Sequence, residues 1–224
     1  MFPAGNRTSE HVALPNFRRS EARVVAERQA TRLLKLLGIK EPDVEVELVL
    51  QLPELAVVVK PDLPLSAHTE WEEKRQQWVI TMNQDDSLWR SRATLAHEIK
   101  HILDDPFREL LYPDWPRQTP LAPPTLAERI SDYFAGCVLV PRAWLLRAWQ
   151  DGVRDVMELA SLFNVSEALV AVRLKQVGLV RRRSDRDLMR SYTRRGYRRG
   201  SRFARHFAGR LALGAGQELQ EVGS

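Results

Sequence analysis

The chain is 224 residues long, 44% apolar and 28% charged, with a formal net charge of +5 and a single cysteine. That apolar content suffices for one sizeable core, and charges break every apolar run well short of the roughly 18 residues of a membrane span, so no membrane segment is expected. The first twenty residues lack the basic-then-apolar layout of a signal peptide and Cys137 has no partner for a disulfide, which together predict a cytoplasmic protein with Cys137 as a small buried residue.

Residues 1–18, with Pro3, Gly5 and Pro15, read as a flexible N-terminus. Helical spacing over 20–37 stops at Gly38. Short strands are predicted over 55–60, 68–72 and 77–82. In 77–83, Trp78, Ile80 and Met82 alternate with Val79 and Thr81 just before the next helix, which makes this stretch the candidate edge strand; an internal strand with both faces buried is the competing reading. Asp85, Asp86 and Ser87 offer N-caps to that helix, Leu88, Ala93, Leu95, Ala96, Ile99, Ile102 and Leu103 give it an apolar face, and Asp104-Asp105-Pro106 ends it. Pro106, Pro113, Pro116, Pro120, Pro123 and Pro124 then fill a connection that is either a rigid surface link or the border of a cleft. After it, Leu126, Ile130, Phe134, Ala135, Val138 and Leu139 recur at helical spacing. Residues 155–180 hold two short helical patterns around Asn164-Val165-Ser166, with Ser166 as the cap of the second.

The chemistry concentrates in His97-Glu98-Ile99-Lys100-His101. On a helix, positions i and i+4 lie about 40° apart around the axis, so both imidazoles reach one metal ion while Glu98 leans over the remaining coordination position as a general base. The plainer reading is two solvent-facing histidines on an ordinary helix. Two histidines leave an ion half coordinated, and Glu128 on the following helix is the best third ligand. Asp132, one turn later on the same face, is placed to accept the second-nitrogen proton of a metal-bound histidine and fix its orientation. Alternatively, Glu128 and Asp132 are surface acids pairing with Arg129 or Arg142. Capping is the ordinary use of Asp85 and Asp86, and Asp104 and Asp105 at the end of the helix are weaker ligand candidates.

His97-Glu98-x-x-His101, Glu128-x-x-Ser131-Asp132-x-Phe134-Ala135 and Val138-Leu139-Val140-Pro141 together resemble the ImmA/IrrE metallopeptidases, whose pattern runs HExxH, then ExxAxxFA, then a leucine-rich end and a proline. Leu33-Leu34-x-x-Leu37-Gly38-Ile39, Val44 to Glu47, Trp78 to Asn83, and Leu159-Ala160-x-x-Phe163-x-Val165-Ser166 extend the likeness to about residues 20–180. Lys100 stands where many members have glycine and Ser131 where they have alanine; Lys100 points away from the metal at this helical phase. The resemblance implies an α+β, zincin-like fold with a small mixed or antiparallel sheet, the domain occupying 19–150 and the helix-turn-helix-like part 151–180 packed on it. It further implies zinc on His97, His101 and Glu128, Glu98 as base, Asp132 supporting a histidine, and a helix-turn-helix repressor as the protein substrate, cleaved to derepress its genes. A His-His-Glu set also takes manganese or iron. Zincins hold their peptide extended along an edge strand, which supplies main-chain affinity.

The tail differs in kind. Residues 181–224 carry twelve arginines against four acids, a net of +8, which leaves −3 on the other 180 residues. Arg194, Arg195, Arg198, Arg199 and Arg202 interleave with Tyr192, Tyr197 and Phe203, a composition suited to phosphate pairing and base stacking on nucleic acid or to an acidic partner; a solvated tail that raises solubility is the competing reading. Two rival functions stand beside the peptidase: a DNA-binding regulator using 155–180 and the tail, and a non-catalytic repressor-binding protein. On 155–180 only Arg173 and Lys175 are basic, which favours packing over base readout.

Overall fold

The computed structural model describes residues 19–112 and 125–180. Helix α1 (Arg19–Leu36) carries Ala22, Ala26 and Ala30 at four-residue steps, each 2% exposed or less. Small side chains along one stripe let another helix approach closely, and α1 lies against α4 (Leu126–Leu139), whose Ile130, Phe134 and Val138 are buried in the same core. Between them in sequence, a 3-10 turn at Val46–Gln51 leads to β1 (Leu55–Lys60), β2 (Ala67–Glu72) and β3 (Gln77–Asn83). The spatial order is β1-β3-β2, with β1 parallel and β2 antiparallel to β3, so the sheet is mixed and the fold is α+β.

The edge-strand expectation for 77–83 is corrected by this order. β3 is central, and Ile80, Thr81 and Met82 are 3% exposed or less. Trp-Val-Ile-Thr-Met is close to a continuous apolar run, as suits a strand covered on both faces. The open edge beside the histidine helix belongs to β2, whose His68, Glu70 and Glu72 put charge and polarity on the face away from that helix. The Asn83 N–H donates to the Ser66 carbonyl. By the two-residue period of an antiparallel ladder, the main-chain groups of Ala67, Thr69 and Trp71 therefore face outward from the sheet.

Helix α2 (Leu88–Asp104) is capped by Ser87, which accepts the Arg90 N–H, while Asp86 pairs with the Arg90 side chain. It is wedged between α4 on one side and β2 and β3 on the other. A 3-10 turn (Asp105–Phe107) and the single-turn α3 (Arg108–Leu111) follow; later come α5 (Arg142–Gln150), α6 (Val156–Phe163) and α7 (Glu167–Val177). Asn164 in left-handed conformation closes α6, and Ser166, the cap the sequence predicts, caps α7 by accepting the Leu169 N–H.

Two buried arginines tie these parts together. Arg92 on α2, 3% exposed, donates to the carbonyls of Val44 and Asn164 and pairs with Glu47 at 3.4 Å and Asp43 at 3.2 Å. It thus joins the segment before the sheet, the histidine helix and the α6–α7 turn. Arg173 on α7 is fully buried: it donates to the Val140 carbonyl and to Gln176 and lies over the Tyr133 ring. Gly136 makes room for it, since a Cβ there would meet Arg173 Cδ at 2.8 Å. The residues of α7 left exposed are Ala168 and Val172, so its one buried basic side chain serves packing. Cys137 is buried and free, its thiol pushed up to about 11 by burial, which makes it inert. No helix among the described residues is long and apolar enough to cross a membrane.

Candidate metal centre

His97 and His101 share a face of α2 with ring centroids 4.8 Å apart, as the four-residue spacing requires. Glu128 meets them from the first turn of α4. Thr125 caps that helix by accepting the Glu128 N–H, which fixes the turn from which the carboxylate projects. Glu128 Oε2 lies 3.2 Å from His97 Nε2, Glu128 Oε1 lies 3.6 Å from His101 Nε2, and the two Nε2 atoms are 2.9 Å apart. These three residues form the cluster suited to a metal ion among the described residues, with ligand atoms within 4.8 Å of one another. That span matches four-coordinate zinc, whose bonds run about 2.0–2.2 Å to histidine nitrogen and carboxylate oxygen. All three side chains are between 17% and 29% exposed, leaving one side open.

The electrostatics also suit a cation. Burial opposes a charge on His97, but hydrogen bonds to Asp132 and Glu128, with Glu98 nearby, more than offset it and push its pKa up to about 9. Burial and the charge of His97 push His101 down to about 4. The hydrogen bond from His97 holds Glu128 below the usual carboxylate range.

Asp132, one turn along α4, accepts from His97 Nδ1 at 2.9 Å, which leaves Nε2 directed at the cluster. Glu128 and Asp132 thus pair with histidines and not with Arg129 or Arg142. Asp132 is 74% exposed, so water screens this support. Asp132→Asn is expected to keep the fold and weaken metal binding toward the lower end of the range for such supporting residues, about tenfold. A metal titration alongside circular dichroism reads this, and unchanged affinity would leave Asp132 as a surface acid.

Glu98 stands beside the cluster with Oε2 accepting a hydrogen bond from Thr69 Oγ1 at 2.6 Å. Burial raises its pKa, against the opposing pull of the Thr69 hydroxyl and of His97. Asp104 and Asp105 are engaged elsewhere: Asp104 pairs with buried Lys100 and accepts from Tyr112 Oη at 2.5 Å, and Asp105 pairs with Arg108. Neither belongs to the cluster of ligand atoms, and the Lys100 ammonium is taken up by Asp104. Thr69 was not singled out by sequence reasoning; its signal is the alternation of β2, which turns residue 69 to the same face as Ile80, toward α2. His68 is exposed on the opposite face of β2. Arg194, Arg195, Arg198, Arg199 and Arg202 lie outside the described residues.

No curated protein matches the chain. Among solved structures it is similar to a Mycobacterium tuberculosis transcriptional regulator, with a TM-score of 0.51 and 18% identity over 70% of this chain. The match covers 51% of that protein, so the chain spans about half its length, and the likeness is one of fold. A family model described as the IrrE N-terminal-like domain, a peptidase family, matches residues 56–175, more than half of the chain and all of the cluster just described. The chain belongs to the IrrE N-terminal-like peptidase family.

Proposed function

We propose that the chain is a zinc-dependent endopeptidase whose substrate is a helix-turn-helix transcriptional repressor, cleaved in the cytoplasm so that the repressed genes are released. The observation that carries this reading is the convergence of His97, His101 and Glu128, with the carboxylate of Glu98 held by Thr69 and near enough to interact electrostatically with His97 and Glu128. When bound, zinc supplies Lewis acidity to the scissile carbonyl and to the attacking water. The remaining work falls to the chain. Asp132 holds the His97 ring in place through Nδ1. With Oε2 held by Thr69, Glu98 uses Oε1 to take a proton from the attacking water, then passes it to the nitrogen of the leaving amine. The outward main-chain groups of Ala67, Thr69 and Trp71 bind the extended peptide by strand addition.

The test is incubation of the zinc-loaded protein with the helix-turn-helix repressor encoded beside it, products read by mass. Two fragments summing to the intact repressor plus one water are expected, and none after the metal is removed by chelation. An intact repressor in both samples would contradict the reading.

The rival DNA-reading role for 155–180 is weakened by the burial of Arg173, whereas the +8 charge of residues 181–224 favours a nucleic-acid tether that brings the enzyme to a bound repressor. Full-length protein is expected to bind DNA with little sequence preference and steep salt dependence, and a form ending at Val180 weakly. Equal binding by both forms would contradict the tether.

A further inference from the structure

We infer that Thr69 is a positioning residue for Glu98: its hydroxyl, delivered from the edge strand β2, holds one carboxylate oxygen so that the other faces the reacting atoms. The inference rests on the endopeptidase reading above and assigns a role to a residue outside the histidine–glutamate motif.

The contact is short, 2.6 Å, and crosses from strand to helix over 29 residues of sequence. A hydroxyl has one proton to donate, and here it goes to Glu98 Oε2. A carboxylate on a helix retains rotation about its terminal bond, and anchoring one oxygen fixes the direction of the other. The anchor itself is stiff. Thr69 is β-branched, with a restricted first side-chain torsion, and it sits opposite Ile80, which is wholly buried on the central strand. The start of β2 is further fastened to α2 and β3, since Arg90 Nε donates to Ser66 Oγ at 2.9 Å and the Asn83 N–H to the Ser66 carbonyl. Thr69 is also the middle of the three residues whose main-chain groups face outward from the sheet. A peptide adding to this edge therefore pairs with the same residue that aims the base, so strand docking and base orientation meet at one position.

Thr69→Val removes the hydroxyl while keeping shape and strand propensity, and Thr69→Ser restores it. The probe is acetohydroxamic acid titrated by calorimetry into full-length, zinc-loaded protein. On binding, its N–O–H proton would pass to the Glu98 carboxylate at a site that His97, His101 and Glu128 would keep loaded with zinc, so its affinity reports how well the base is placed. Thr69→Val is expected to bind about tenfold more weakly with unchanged zinc content by elemental analysis, and Thr69→Ser to bind close to wild type. Wild-type affinity in Thr69→Val overturns the inference alone, and so does loss of zinc in that variant, which would make Thr69 a prop of the metal centre instead. Failure of zinc-loaded wild type to bind the hydroxamate overturns the endopeptidase reading and this inference with it.

Discussion

Glu98→Gln is expected to slow repressor cleavage by about 10²–10⁴-fold while leaving the metal content of the protein unchanged. The amide is nearly isosteric and its oxygen still accepts from Thr69, so the helix and the His97–His101–Glu128 cluster are undisturbed. What it lacks is basicity. Glu98 in its buried setting has a raised pKa, bringing it nearer to neutral and hence to the range in which a carboxylate both takes a proton from water and gives it up to an amine. Cleavage rate read by mass, together with elemental analysis, separates this from loss of the metal. A variant that cleaves at the wild-type rate would move the base to another residue, and derepression that survived without cleavage would favour a non-catalytic repressor-binding role.

Arg92→Ala is expected to destabilise the fold by about 3–5 kcal/mol, a large share of the roughly 5–15 kcal/mol that holds a domain of this size. The loss has identifiable parts: Glu47, 7% exposed, keeps a carboxylate without its guanidinium partner, and the carbonyls of Val44 and Asn164 lose their donor. Removing both charges together, as Arg92→Met with Glu47→Met, is expected to recover part of the stability, because no buried charge is then left alone. Urea denaturation of wild type and the two variants measures this. A midpoint for Arg92→Ala equal to that of wild type would show that the segment before the sheet and the α6–α7 turn do not depend on this side chain.

The parts of the molecule legible in the sequence were those whose signal is local. His97, Glu98 and His101 lie within one helical turn, so spacing alone brings them to one face, and Ser87 and Ser166 announce helix starts because a cap acts within three residues. Glu128 was legible as an acid in an otherwise apolar periodic run, and the structure brings it to both histidines. What was not legible depends on pairing across the chain. Strand order cannot be read from alternation, and nothing local in 77–83 shows that β1 and β2 flank it. The burial of Arg92 and Arg173 has no local mark, because the carbonyls they bind lie 33 to 72 residues away. Thr69 in an alternating strand has no local mark that separates it from an ordinary strand threonine; only the register of β2 on β3 and the packing of α2 over the sheet bring its hydroxyl to Glu98.

Elemental analysis of the purified full-length protein after zinc loading and exhaustive dialysis, with Glu128→Ala measured beside wild type, decides whether these three residues hold the ion. About one zinc per wild-type chain is expected, with loss of most of it in the variant, because two imidazoles on one helix supply only half of a tetrahedral shell. Wild-type protein that retains no metal, or a Glu128→Ala variant that retains all of it, would contradict the assignment of His97, His101 and Glu128 as the metal-binding set.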